Sequence, residues 1–146
     1  MVINSKQLGL DLESGGEKDY FEWFVACLLF GKPVQQGVAK RAFDELVQHD
    51  ITSPDAVLDT GYDNLVELLR AGHYSRFDYS TASKLLNTSS TLKEKYGSIG
   101  GLLNESSSLE DVSERLQEFK GIGPKTAEIF LRDLGPILER KHSFAG

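Results

Sequence analysis

The sequence predicts an all-α fold, a compact multi-helix barrel or bundle. Apolar residues recur at three- and four-residue spacing along most of the chain, no segment alternates convincingly at period two, and no internal repeat is visible. The chain has 146 residues, 40% of them apolar and 26% charged, which suits one globular domain with a buried core. Residues 1–16, ending in Ser14-Gly15-Gly16, read as a loose N-terminal arm, and residues 17–146 as the single domain.

Each helix has a local signature. From Glu17 to Phe30 the chain is apolar nearly all round, as a central buried helix must be, and Gly31-Lys32-Pro33 ends it. Val34, Val38, Ala42 and Leu46 give a second helix ending near Gln48-His49. Thr52-Ser53-Pro54 supplies an N-cap and a proline at the first helical position, opening a short helix through Leu58. Asp63 to Arg70 is another short helix, closed by Gly72, and Ser80 to Tyr96 is a longer one whose Asn87-Thr88-Ser89-Ser90 stretch has weak helix propensity. Gly97 to Gly101 reads as a turn before an apolar patch at Leu102-Leu103. Ser108 caps the next helix with Asp111 three residues on, and Leu109, Val112, Leu116 and Phe119 form its inner stripe. A last helix starts at Pro124 and is expected to stop at Gly135-Pro136.

Several function classes drop out. No apolar run approaches the ~20 residues that span a bilayer, and Met1 to Gln7 lacks the basic and apolar regions of a signal peptide. The expectation is an intracellular protein, cytoplasmic and nucleoid-associated in a prokaryotic cell, with no membrane partner. The lone Cys27 excludes an internal disulfide, a Cys-rich zinc site and a four-cysteine iron–sulfur cluster, and no metal-ligand set is legible. Cys27 and His49 are the residue types of a nucleophilic pair, but nothing in the sequence brings them together.

The chemistry concentrates between Phe119 and Ala127. Gly121 permits a left-handed turn, Ile122 points into the core, Gly123 lets the backbone approach another surface, and Pro124 is pre-set to start a helix. The free N–H groups of this turn and the positive end of the helix dipole make an anion site out of backbone, suited to a DNA phosphate. Lys120 and Lys125 add formal charge beside it. An ordinary turn between two helices also uses Gly and Pro in this way. The longer pattern of Leu116, Phe119, Gly121, Ile122, Gly123, Ala127, Ile129, Phe130 and Leu131 fits a helix-hairpin-helix motif throughout, with Ala127 small where two helices meet.

Phe119-Lys120-Gly121-Ile122-Gly123-Pro124-Lys125-Thr126-Ala127 resembles the hairpin of the endonuclease III-like DNA glycosylases. Tyr20 to Lys32 is similar to that family's first barrel helix and its turn, and Ala71-Gly72-His73-Tyr74 followed by Ala82 to its Gly-Tyr turn and middle helix. Order and spacing agree from about residue 18 to residue 134. The resemblance implies a DNA partner, damaged or abasic duplex, contacted by Lys120, Gly121, Ile122, Gly123, Pro124, Lys125 and Thr126. It also implies a monovalent cation at the hairpin. Lys125 takes the position of the Schiff-base lysine that attacks the abasic sugar, and the helix N-terminus favours the neutral amine this needs. On Lys125 alone, nucleophile and simple phosphate contact stand level. Lys32 falls where relatives place a residue that fills the gap left by a flipped base, and it reads equally well as a loop lysine. Tyr74 reads as core, and His73 and Arg76 as residues that could line a cleft.

Two departures weigh against full glycosylase chemistry. The family's aspartate, about eighteen residues past the lysine, has no counterpart in Gly135 to Ser143. Asp133 lies about 12 Å along a helix from Lys125, too far to replace it. The net charge of −6 also disfavours a DNA partner, although Arg115 to His142 holds six Lys/Arg against four acids and is locally +2. A non-catalytic DNA-binding module and a protein-interaction domain are the alternatives; no protein partner is legible.

Overall fold

The computed structural model describes residues 3–141. Among them are eight α-helices and no strand: α1 (Glu17–Phe30), α2 (Gln36–Gln48), α3 (Pro54–Thr60), α4 (Tyr62–Ala71), α5 (Asp78–Lys95), α6 (Ile99–Glu105), α7 (Leu109–Gln117) and α8 (Pro124–Lys141). The all-α class follows from the helical spacing of the apolar residues. None of these helices is long and apolar enough to cross a membrane.

α1 is the axis. Phe21 to Phe30 are all buried, and the helix touches α2, α5, α6 and α8. The Trp23 indole N–H donates to the Phe130 carbonyl at 3.1 Å, and the Phe24 ring meets Phe119 and Phe130 edge-on. These bonds let a large aromatic core close without an orphaned indole N–H. Gly72 closes α4 because nothing larger fits: a Cβ there would lie 2.6 Å from Cα of Ala42 on α2. Tyr74 is core, its hydroxyl donating to the Leu29 carbonyl at 2.8 Å. The weak stretch of α5 holds as helix, with Thr88 and Ser89 buried and the Thr88 hydroxyl donating to the Lys84 carbonyl at 2.7 Å.

The expected caps are present. Ser53 Oγ accepts from Ala56 N–H at 3.1 Å, and Ser108 Oγ from Asp111 N–H at 3.0 Å. Asp111 returns the favour one residue earlier than a standard capping box, accepting from Ser107 N–H at 2.9 Å.

Three expectations need correction. The segment 97–101 is not only a turn: α6 begins at Ile99, capped by Ser98 and by Glu17 of α1. The Glu17 carboxylate accepts from Ile99 N–H at 2.8 Å and Gly100 N–H at 2.7 Å. A cap reaching in from another helix leaves no local signal. Second, α8 runs through Gly135-Pro136 to Lys141. Pro136 has no N–H for the Arg132 carbonyl, an interior defect of about 3 kcal/mol, but Leu134 and Leu138 are buried on either side of it and each is worth roughly 1.5–3 kcal/mol. Third, the described part of the N-terminal arm is packed. Leu10 and Leu12 join the core, and Ser5 N–H donates to Asp133 at 2.7 Å. Arg132 donates to the Ile3 carbonyl, and Arg140 pairs with Glu13 at 2.7 Å.

Candidate nucleic-acid interface

The turn between α7 and α8 forms as its residues dictate. Gly121 is left-handed at φ +87°, a conformation that costs an L-residue roughly 1–2 kcal/mol. Ile122 is buried and donates its N–H to the Phe119 carbonyl at 3.1 Å. Pro124 opens α8, and Ala127 N–H donates to the Gly123 carbonyl at 3.3 Å. Among the described residues, the N–H groups of Gly121, Gly123, Lys125 and Thr126 have no intramolecular acceptor. Lys125 and Thr126 belong to the first turn of α8, the positive end of its dipole. The carbonyls of Lys120, Gly121 and Ile122 likewise accept no hydrogen bond among these residues. A Cβ on Gly123 would meet nothing within 4 Å: its small size leaves room at the surface and serves no packing.

The predicted site residues divide by direction. Lys120 and Pro124 are exposed, and so is Lys125, which lines a groove of about 530 Å³ with Glu128, Ile129 and Arg132. Every residue lining this groove belongs to α8, so it is a surface groove along one helix. Thr126 turns the other way. Its side chain is buried against the α1–α2 turn, where a Cβ on Gly31 would sit 2.5 Å from Thr126 Oγ1. It therefore reaches a partner only through its backbone. Lys32, next to Gly31, is half-buried with its ammonium 5.1 Å from the centre of the Phe77 ring. His73 is exposed, at φ +66°.

Sequence reasoning missed Lys84. It sits on α5 between buried Thr81, Leu85 and Thr88, which leaves its own side chain only half-exposed. Its methylenes lie across Gly121, so that a Cβ on the glycine would come 2.9 Å from Lys84 Cε. Burial, and then the positive charge of Lys32, hold its ammonium below the usual lysine range. Its helical spacing from the two threonines and Leu85 was the only available signal. That spacing does not tell which neighbour it meets.

No family model matches the chain, and no curated protein or solved structure shows significant similarity to it.

The two carboxylates nearest the turn on α8 have different surroundings. Asp133 accepts from Ser5 N–H and pairs with Arg132 at 2.8 Å, which hold its carboxyl below the ordinary range despite partial burial. It is committed to the arm. Glu128 is the acid that shares the Lys125 groove. Cys27 is fully buried, its thiol pushed well up by burial, whereas His49 is exposed at the end of α2, so the two form no nucleophilic pair. Among the described residues, no group of three or more His, Cys, Asp or Glu could hold a metal ion.

Proposed function

We propose that this chain binds duplex DNA through its sugar-phosphate backbone at the α7–α8 turn, and that Lys125 presents an amine to an abasic sugar. The carrying observation is the left-handed Gly121 beside amide groups that have no internal acceptor, flanked by the exposed ammonium groups of Lys120 and Lys125. Neither lysine has a carboxylate within salt-bridge distance among the described residues, although the chain has 22 acids against 16 Lys and Arg. Cations left unpaired in an acidic protein favour an external anion. The resemblance to endonuclease III-like glycosylases points to the same ligand.

Lys125 Nζ, once its ammonium has given a proton to solvent, adds to C1′ of the ring-opened abasic sugar, and water leaves to give the iminium. Loss of a C2′ proton, which we assign to Glu128, breaks the C3′–O bond and releases the 3′ phosphate. Asp133 is bound to the arm, so the reading assigns this surface the amine step on an abasic sugar and gives Asp133 no role in it. If Lys125 proves to be a phosphate contact only, the same surface serves as a non-catalytic DNA-binding module.

Borohydride trapping on duplex DNA carrying one abasic site tests the reading. We expect a covalent adduct with the wild type that is lost in Lys125→Ala. Binding without an adduct would remove the lyase and keep the module. Absence of salt-sensitive binding would remove both.

A further inference from the structure

The cations outside the α7–α8 turn are distributed unevenly. Half of the 16 lysines and arginines have an acidic partner: Lys18, Lys40, Arg70, Lys93, Lys95, Arg115, Arg132 and Arg140. Lys32, Arg76 and Lys84 have none among the described residues, as Lys6, Arg41 and Lys141 have none, and Lys32 and Arg76 share one aromatic face. Lys32 and Arg76 both stand over the ring of Phe77, at 5.1 and 5.0 Å from its centre. Lys84 stands on α5, which begins just after Phe77; its stem covers Gly121, and after burial the Lys32 charge helps to hold its ammonium low. The nearest acid along the chain, Asp78, is taken by Arg70 at 2.6 Å and by Tyr79 N–H at 2.7 Å.

Like charges held together, two of them half-buried, carry a standing cost that a bound anion removes. The aromatic face of Phe77 fixes where two of the cations stand. The Gly31–Thr126 contact brings the Lys32 turn directly against the first turn of α8. We propose that Lys32, Lys84 and Arg76 form a second backbone-phosphate site beside the α7–α8 turn, so that a DNA strand leaving Gly121 and Gly123 continues over the α1–α2 turn and the start of α5.

This inference rests on the DNA reading and assigns the strand its path. It gives Lys32 a phosphate to neutralise in place of a gap to fill. It also explains why Gly121 must be small on the side facing Lys84: the lysine crosses the turn there to reach the anion.

The test is the salt dependence of binding to an intact duplex, measured by fluorescence anisotropy, for the wild type, Lys84→Met, Lys32→Met and the double variant. Methionine keeps the methylene stem over Gly121 and removes the charge. Lys93→Met, paired with Asp55 on α3, controls for net charge. Each site variant should lower the steepness of log affinity against log salt by about 0.9, the double variant by about twice that, and the control by little. Circular dichroism checks that the fold persists, and Lys32→Met tests the site even if Lys84→Met is destabilised. Salt-sensitive wild-type binding with unchanged slopes in the site variants would overturn the second site and leave the turn standing. A wild type that does not bind duplex DNA would overturn both.

Discussion

Lys84 of α5 lies across Gly121 of the α7–α8 turn, its Cε 2.9 Å from where a Cβ would stand. The contact joins a half-buried ammonium to the one left-handed residue of the turn, and it makes the two glycines of that turn experimentally distinct.

Gly121→Ala should destabilise the protein by about 1–2 kcal/mol for its left-handed backbone, with a further cost from displacing Lys84. Gly123→Leu should leave stability nearly unchanged, because its Cβ direction is open. The same substitution should weaken DNA binding about tenfold or more, since it blocks a charge-assisted hydrogen bond worth roughly 1.5–3 kcal/mol. Urea unfolding paired with anisotropy reads both. A Gly123→Leu variant that binds as well as wild type would sink the turn as the DNA contact.

The N-terminal arm makes a stability prediction. Leu12 is 3% exposed, so Leu12→Ala should cost about 2–5 kcal/mol in urea unfolding. A cost below about 0.5 kcal/mol, ordinary for a surface position, would mean that the arm does not pack in solution.

Glu22 on α1 makes a pH prediction. It is 5% exposed, one carboxylate oxygen has no hydrogen-bond partner, and Lys18 stands 3.8 Å away. Burial raises its pKa above the ordinary glutamate value. The folded state therefore holds this proton more tightly than the unfolded chain does. The stability it contributes is fully present below the ordinary glutamate range and is lost as pH rises through the raised value. Glu22→Gln should accordingly raise Tm at pH 7 and have less effect at pH 4. Each kcal/mol gained moves Tm by about 2–4 °C in a chain of this size. Equal shifts at the two pH values would refute a buried charge as the cause.

What was legible from the sequence is what neighbouring residues decide among themselves. The left-handed Gly121, the Pro124 start of α8, the serine caps at Ser53 and Ser108 and the all-apolar α1 each follow from torsional preference or helical spacing over a few positions. Tertiary structure decided the rest. α8 passes its Gly135-Pro136 break because Leu138 gains burial beyond it, and α6 starts where it does because Glu17 reaches its N-terminus. The arm is held by Asp133 and the core, and Lys84 meets Gly121 only when α5 packs beside the turn. Each of these depends on groups far apart in the chain, whose meeting is set by the summed burial of the whole core and by no local pattern.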